Sequence, residues 1–221
     1  MRLLAIVLAF CSLAGAAERG LTLTNRDYRY KAKNGELIGF YPALDAPGNP
    51  KAATMFNERM HRFLNDRRQT IAAADKKNFL TLRLSFTQAI TSGGFISVRF
   101  ELLAEERQMA HPGDQFFTIL FDTKNCRELE LKDLFLPRTA WLDRLVQYSR
   151  AELMGRDIGS TDDWVEKGTG ANPGNFTIFR LSDRELEITF PPYQVAPYSS
   201  GTQRVAIPVA VLEGFLRPEL F

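Results

Sequence analysis

The sequence predicts an α+β fold in which an antiparallel sheet of hairpins packs against two main helices in a single compact domain. Short segments of alternating apolar and polar residues, separated by Gly, Asn and Pro turns, are typical of half-buried antiparallel strands. Two separate segments show the spacing of amphipathic helices. Because the strands do not alternate regularly with helices, hairpins are favoured over βαβ units.

The first residues have the composition of a secretory signal peptide, which we assign to residues 1–17. Arg2 supplies the basic region, Leu3 to Leu13 form an apolar stretch, and the run from Ala14 to Ala16 supplies the small residues that a signal peptidase needs. The stretch is too short to span a membrane as a helix, so no stable membrane insertion is expected. Cys11 follows a bulky residue, so lipid anchoring is not expected there. A periplasmic or secreted protein is therefore predicted.

The charge and cysteine content exclude several classes of function. Lys and Arg number 28 against 26 Asp and Glu, and loss of Arg2 with the signal peptide leaves 27 against 26. A nucleic-acid-binding protein needs a basic field that this balance does not supply, so no nucleic-acid partner is expected. Cleavage of the signal peptide removes Cys11 and leaves a single cysteine, Cys126, so no intrachain disulfide is predicted. Stability must come from the core that roughly 200 residues can build.

The segment 18–100 predicts strands on either side of one long helix. Short strands precede and follow an Asn-Gly hairpin turn at residues 34–35. Pro50 opens the helix, because a missing N–H is harmless in the first turn. The apolar stripe of this helix consists of Phe56, Met60, Phe63, Leu64 and Ile71. Phe79–Thr87 and Phe95–Ala104 alternate and form a second hairpin.

The segment 101–221 predicts further strands and a second helix, in one continuous domain with the preceding segment. Glu105–Asp114 is expected to be a polar loop, and Thr139 is expected to cap the second helix. Gly155–Gly174 is rich in Gly, Asp and Ser and is predicted to be a mobile loop. Pro208–Leu216 is predicted to form a closing helix.

Two Pro-rich aromatic turns near the C-terminus form the most informative motif of the chain. Pro191 and Tyr193 follow one predicted strand, and Pro197, Tyr198 and Gly201 precede the next. Proline fixes φ and glycine permits positive φ, so the backbone is expected to hold both tyrosines in a rigid, exposed frame. Tyrosine offers rigid contact area at low entropic cost, so the motif predicts a recognition surface. The alternative is that the tyrosines pack under their own turns as structural clamps.

Three stretches together make up one extended motif, and they run from His111 to Phe135, from Asn175 to Phe190 and from Tyr193 to Leu216. The residues that carry the pattern are His111, Gly113, Asp122, Leu131, Asp133, Leu134, Phe135, Tyr193, Ala196, Pro197, Tyr198 and Gly201. Together they resemble the RsiV-like extracellular domain family, long catalogued as a domain of unknown function. Cys126 replaces the turn glycine of that family, and the loop before His111 lacks the usual paired glycines.

This resemblance implies an α+β fold and a role in sensing or binding lysozyme-type muramidases, where the family's domain forms part of an anti-sigma factor. Related domains also lie beside cell-wall deacetylase domains. The sequence shows neither a cytoplasmic anti-sigma segment nor a deacetylase domain, so we expect an exported, non-enzymatic binding module of the cell envelope. Its predicted partner is a lysozyme or cell-wall glycan, which would contact His111, Pro112, Gly113 and the two aromatic turns.

Two other functions stay open. A cell-wall hydrolase or deacetylase would combine His111 with scattered carboxylates, and a structural envelope protein would simply pack its tyrosines. The available carboxylates are Glu101, Glu105, Glu106 and Asp133. The chain has no GxSxG motif, P-loop or Gly-rich nucleotide fingerprint, and no cofactor is predicted.

Metal and thiol chemistry are not expected from the remaining candidates. His61 and His111 are far apart without a cysteine cluster, so no zinc site is predicted, and His61 is expected at the boundary of the core. An acidic loop could attract calcium but lacks the EF-hand alternation, and its members are Asp157, Ser160, Asp162, Asp163 and Glu166. Cys126 is predicted to be a surface thiol.

Overall fold

The computed structural model describes residues 20–75, 77–106 and 111–221, and the predicted signal peptide with Cys11 lies outside the described residues. Within these ranges the chain forms two sheets and three α-helices, which confirms the predicted α+β class and single domain. No helix in this part of the chain is long and apolar enough to cross a membrane.

The larger sheet has the strand order β1-β2-β3-β4-β5-β6. Its strands are β1 (Thr22–Ala32), β2 (Gly35–Asp45), β3 (Leu80–Ile90), β4 (Phe95–Glu106), β5 (Gly113–Asp122) and β6 (Arg127–Leu129). Neighbours are antiparallel except β2 and β3, which pair in parallel over Gly35–Gly39 and Leu80–Leu84. The expected polar loop at Glu105–Asp114 is shorter than predicted, because β4 and β5 extend into both of its ends.

Helix α1 (Pro50–Ala73) connects the two parallel strands, so one βαβ unit is present and the expectation of hairpins alone was wrong. The physical reason is length. A helix of 24 residues rises about 36 Å, and a strand of 11 residues extends about as far. The helix therefore returns the chain to the end of the sheet where β2 began, and β3 starts beside it.

Helix α1 covers one face of the larger sheet. The Asn49 side chain caps it by accepting a hydrogen bond from the Ala52 N–H at 3.1 Å. The predicted stripe is buried in full, with Phe56, Met60, Phe63, Leu64 and Ile71 all against the core. Phe63 stacks on Phe100 of β4 at 4.4 Å between ring centroids. Burial of each such side chain stabilises the fold by about 1.5–3 kcal/mol.

The smaller sheet packs on the other face of the larger one. Its antiparallel strands are β7 (Phe179–Leu181), β8 (Glu185–Phe190) and β9 (Gln203–Pro208). The Thr118 hydroxyl of β5 donates to the carbonyl of Phe179 at 3.0 Å and accepts from the N–H of Phe179 at 2.8 Å. The Ser97 hydroxyl of β4 accepts from the N–H of Leu181 at 2.9 Å. These hydroxyl and amide groups between the sheets are thus hydrogen-bonded, as most buried polar groups are.

A buried ion pair also joins the two sheets. Arg99 on β4, whose side chain is 3% exposed, donates to the carboxylate of Glu187 on β8 and to the Thr189 hydroxyl at 2.7 Å. Arg180 on β7 lies 3.6 Å from the same carboxylate. Burial lowers the pKa of Arg99, and the nearby charge of Glu187 opposes that shift. The junction between the sheets therefore depends on compensated charge.

Helix α2 (Trp141–Met154) closes the second core, with Leu145 and Leu153 buried against the smaller sheet. The expectation that Thr139 caps this helix was wrong, because Ala140 occupies the cap position. The Thr139 hydroxyl instead donates to the carbonyl of Leu136 at 2.8 Å, so it is engaged with the preceding turn.

The segment Gly155–Gly174 is not the irregular loop that was predicted. It contains helix α3 (Asp162–Gly168), and the 3-10 turn Pro173–Phe176 follows at its end. Val165 and Phe176 from these elements are buried in the second core. The apolar side chains therefore tie a polar segment to the body of the protein.

The C-terminal segment Pro208–Leu216 forms one 3-10 turn, Val209–Leu212, in place of the predicted closing helix. The backbone becomes extended at Glu213 and takes φ +78 at Gly214, and neither conformation continues a helix.

Cys126 is 7% exposed, so the prediction of a surface thiol was wrong. Its thiol lies 3.6 Å from the carbonyl of Thr123, and its side chain belongs to the core under α1. Its φ of +53 lies in the left-handed region that glycine adopts most readily.

Candidate functional site

The aromatic turns and the loop before β5 meet at one surface, where three rings form a row. We call His111, Tyr198 and Tyr193 the aromatic row. The ring centroids of His111 and Tyr198 are 4.1 Å apart with planes at 28°, and those of Tyr198 and Tyr193 are 5.8 Å apart at 31°. His111 precedes β5, whereas both tyrosines lie between β8 and β9. Two distant parts of the sequence therefore build one surface.

Tyr198 fixes the centre of the row. Its hydroxyl donates to the carbonyl oxygen of Pro112 at 3.1 Å. The His111 Nδ1 lies 3.1 Å from the same oxygen and donates to it in the tautomer that protonates Nδ1. The Tyr198 ring is half-buried, so it clamps the loop before β5 and still presents part of its surface to solvent.

Tyr193 is the more exposed of the two tyrosines in the row, with 58% of its surface accessible. Its φ of +71 is left-handed, which costs a residue other than glycine about 1–2 kcal/mol. Two hydrogen bonds hold this conformation: the Tyr193 N–H donates to Ala196 at 2.9 Å, and the indole N–H of Trp164 donates to the Tyr193 carbonyl at 3.0 Å. A strained backbone that holds an exposed aromatic ring points to function.

Helix α3 and the loop before it support the aromatic turns. The Gln194 amide donates to the carbonyls of Gly168 at 3.0 Å and Asn175 at 2.9 Å, and the Ser160 hydroxyl donates to Val195 at 2.6 Å. A Cβ on Gly168 would lie 2.1 Å from the Gln194 carbonyl oxygen, so only glycine permits this contact. The turns are consequently fixed by side chains as well as by their prolines.

The other predicted site residues shape the backbone around the row. Gly113 begins β5 opposite Ala104, and the carbonyl of Pro191 accepts from the Gln194 N–H at 3.1 Å. Pro197 is extended at φ −62 and leads into the 3-10 turn that contains Tyr198. Gly201 ends that turn at φ +64. These residues position the rings and do not extend the aromatic surface themselves.

Sequence reasoning missed Trp164 and Gln194, which hold the exposed turn in place. A signal for the helix under them was present, because Thr161 precedes two aspartates. The Thr161 hydroxyl accepts from the Trp164 N–H at 3.3 Å, as expected for a helix cap.

Three exposed aspartates lie in the segment that supports the aromatic turns. Asp157, Asp162 and Asp163 are exposed, and they form no ion pair in the part of the chain that the structure describes. Asp162 and Asp163 occupy the first turn of α3 next to Trp164, whose indole binds the aromatic turn. The segment that supports the row thus carries carboxylates without an ion-pair partner among the described residues.

The remaining candidates are not brought to this surface. His61 lies on α1 with its ring 6.2 Å from that of Tyr41, so the two histidines belong to different parts of the fold. Glu101 faces Arg204 at 3.6 Å, and the Asp133 carboxylate accepts from the Glu130 N–H at 2.9 Å. Within the described ranges, no three His, Cys, Asp or Glu side chains cluster closely enough to hold a metal ion.

Comparison with known proteins relates the C-terminal part of the chain to an established family. Residues 132–210 match the model of a family described as protein of unknown function DUF3298, and this span contains both aromatic turns. The chain is also 28% identical over 103 residues to the peptidoglycan-N-acetylmuramic acid deacetylase PdaC of Bacillus subtilis. That similarity covers 46% of this chain and 22% of the deacetylase, so the chain spans less than a quarter of that relative.

Two crystal structures of DUF3298 family proteins share the fold. One, from Pseudomonas aeruginosa, superposes with a TM-score of 0.60 at 16% identity and covers 91% of this chain and 95% of its own. The other, from Bacteroides fragilis, gives a TM-score of 0.59 at 15% identity over 90% and 95% of the two chains. At these identities the likeness establishes a common fold.

Proposed function

We propose that this protein is an exported binding module of the cell envelope whose aromatic row recognises a lysozyme-type muramidase. The observation that carries the proposal is the 58% exposure of Tyr193 on a turn fixed by Trp164 and Ala196. Rigid aromatic side chains dominate the energetics of many protein interfaces. Because its backbone is already ordered, Tyr193 supplies contact area with little further loss of conformational entropy.

The charge beside the row favours a basic partner. Asp157, Asp162 and Asp163 are exposed and free of ion pairs in the described part of the chain. Lysozymes of the c-type are basic, so these carboxylates would speed their association and fix their orientation. Binding by rings and carboxylates together predicts an affinity that weakens with salt but is not abolished by it.

The cell-wall context rests on one similarity. The relative PdaC is named for its action on a peptidoglycan component. The resemblance to RsiV-like domains adds the muramidase as a specific partner. Together with the predicted signal peptide, this resemblance supports a location outside the cytoplasm.

The surroundings of His111 support binding over catalysis. Its ring stacks on Tyr198, and its Nδ1 faces the Pro112 carbonyl. No carboxylate pairs with His111 among the described residues, and Cys126 is buried in the other core. A histidine that serves as a general base is oriented by a partner and lies near a nucleophile.

Calorimetry with hen egg-white lysozyme at physiological salt tests the proposal on the chain from residue 18. We expect submicromolar binding, and we expect Tyr193→Ala to weaken it at least about tenfold. Phe40→Ala is the matched control, because Phe40 is also an exposed aromatic residue, at 46%, but lies on β2. Absence of binding, or an equal loss in both variants, would contradict the proposal.

Cell-wall glycan is the second candidate partner of the aromatic row. The similarity to a peptidoglycan deacetylase favours it, and so does the exposed ring of Tyr193, which could stack on a sugar ring. Co-sedimentation with purified peptidoglycan separates the candidates. Glycan binding that Tyr193→Ala abolishes, together with no affinity for lysozyme, would assign the row to glycan.

A further inference from the structure

A second surface with ligand-binding chemistry lies on helix α1 and extends to the β1–β2 hairpin. Two adjoining depressions there have volumes of about 370 and 460 Å³ and share His61 and Asn65. We call this surface the α1 groove and define it by Tyr28, Tyr41, His61, Arg62, Asn65 and Arg68. Its volume falls in the range of small-ligand sites, which are commonly lined by aromatic side chains with a few polar groups.

Aromatic rings form one wall of the α1 groove. The centroids of Tyr28 and Tyr41 are 6.0 Å apart at 87°, and those of Tyr41 and His61 are 6.2 Å apart at 68°. Both tyrosines are half-buried and His61 is exposed, so the rings are held by the fold and remain accessible. Each edge-to-face contact covers only one face of one ring, and the negative face of a ring attracts the C–H groups of a sugar.

Guanidinium groups stand at the rim of the groove. Arg68 lies over the ring of Tyr30 at 4.6 Å and forms no ion pair with a described residue. Arg62 is 64% exposed, and the carboxylate of Glu58 is 4.0 Å from it. Arg59, in contrast, is bound by Glu128 at 2.6 Å. Two arginines at the rim are therefore available for an anion, and Asp66 offsets part of their charge.

Packing of the core accounts for only part of this surface. Tyr28 and Tyr41 pack against the core around α1, and the buried Leu64 lines one depression, whereas His61, Asn65 and Arg68 are exposed. Arginine binds a carboxylate through two parallel hydrogen bonds, and an aromatic face beside it can hold the ring that bears the carboxylate.

We infer that the α1 groove binds a carboxylated sugar, as found in an acidic glycan. Tyr28 and Tyr41 contact the sugar ring, Asn65 bonds its polar substituents, and Arg68 with Arg62 binds the carboxylate. This inference does not depend on a muramidase contact at the aromatic row, because the two surfaces share no residue. It requires only that the rings and the guanidinium groups act on one ligand.

Two disaccharides that differ at one substituent test the inference. N-acetylglucosaminyl-N-acetylmuramic acid carries a free lactyl carboxylate, whereas chitobiose has the corresponding hydroxyl. Calorimetry or ligand-observed NMR should show the acidic disaccharide binding at least about tenfold more tightly than chitobiose, as expected for a charge-assisted contact. Equal affinity for the two, or no binding of either, would overturn the inference.

Variants locate the binding and separate it from the aromatic row. Arg68→Gln should weaken the acidic disaccharide about tenfold and leave chitobiose unchanged, since it removes the charge and retains an exposed polar side chain. Arg184→Gln, at an exposed arginine on the smaller sheet's side, is the matched control and should change neither. Loss of binding in Tyr193→Ala with full binding in Arg68→Gln would overturn the assignment to the α1 groove. Thermal melting establishes that each variant is folded.

Discussion

The Tyr198 hydroxyl donates a hydrogen bond to the carbonyl oxygen of Pro112 at 3.1 Å, across 86 positions of the sequence. This bond attaches the loop before β5 to the turn between β8 and β9. It also positions His111, whose ring stacks on Tyr198. The ring of Tyr193 lies next to that of Tyr198 and completes the row. A single tertiary contact therefore connects the two segments that the sequence presents separately.

Removal of this bond should loosen the row without removing its rings. We expect Tyr198→Phe to lower the free energy of unfolding by about 1 kcal/mol, because the Pro112 carbonyl loses a hydrogen-bond donor. Urea unfolding measures the change. Tyr148→Phe is the control, since the Tyr148 hydroxyl has no hydrogen-bond partner among the described residues. An equal loss in both variants would show that the bond to Pro112 contributes nothing specific.

The close approach of α3 to the aromatic turns should depend on Gly168. We expect Gly168→Ala to destabilise the protein by about 1–3 kcal/mol, because its Cβ would lie 2.1 Å from the Gln194 carbonyl oxygen and push the turn away. Gly155→Ala provides the control, as its Cβ would meet its nearest atoms at an ordinary 3.6 Å. If both variants unfold at the same urea concentration, the contact between α3 and the turn is not tight.

The left-handed backbone of Tyr193 predicts an unusual order of stabilities. Alanine at that position retains the strain of φ +71, whereas glycine relieves it. We therefore expect Tyr193→Gly to be at least as stable as Tyr193→Ala. Glycine and alanine substitutions at Ser199, an exposed residue within a 3-10 turn, should show the ordinary order of stability. There we expect Ser199→Gly to be less stable than Ser199→Ala by about 0.5–1 kcal/mol. Chemical denaturation of the four variants measures both differences.

Tyr193→Gly could instead be less stable than Tyr193→Ala by as much as Ser199→Gly is less stable than Ser199→Ala. In that case the turn at Tyr193 is not strained in solution. Lysozyme binding of Tyr193→Gly and Tyr193→Ala should be equally poor in either case, because both lack the ring.

Local pattern was enough to predict the parts of the fold that depend on neighbouring residues. The buried stripe of α1 follows from 3.6-residue periodicity, and Pro50 marks its first turn. The parallel pairing of β2 with β3 did not follow from strand patterns, because it depends on how far α1 carries the chain. The buried state of Cys126 was missed for a similar reason, since a polar turn gave no sign that its left-handed residue points into the core.

The candidate site was predictable only in its separate halves. Proline and glycine around Tyr193 and Tyr198 indicated an exposed turn, and His111 was singled out in a different loop. Their stacking depends on the register of β5 against β4 and on the packing of the smaller sheet, which are non-local. The role of Trp164 was not predicted, because it lies in an acidic segment whose helix is only 7 residues long.

The contact between the two sheets should be the most sensitive point of the fold to loss of a charge. Glu187 lies between Arg99 and Arg180, whose side chains are 3% and 13% exposed. Glu187→Ala leaves the buried Arg99 without a carboxylate partner, whereas Arg180 keeps Glu185 at 3.2 Å, so we expect a loss of about 3–5 kcal/mol in the free energy of unfolding. Arg99→Met should cost less, because Glu187 retains Arg180.

The double variant Arg99→Met, Glu187→Leu should recover stability relative to Glu187→Ala, since it removes the buried charge together with its partner. Glu105→Ala is the control, because it breaks only the exposed pair with Arg83 at 3.0 Å, and it should change stability by at most about 1 kcal/mol. Urea denaturation followed by circular dichroism compares the four proteins. A Glu187→Ala protein as stable as Glu105→Ala would mean that water reaches Arg99 and that the junction between the sheets is held by apolar packing alone.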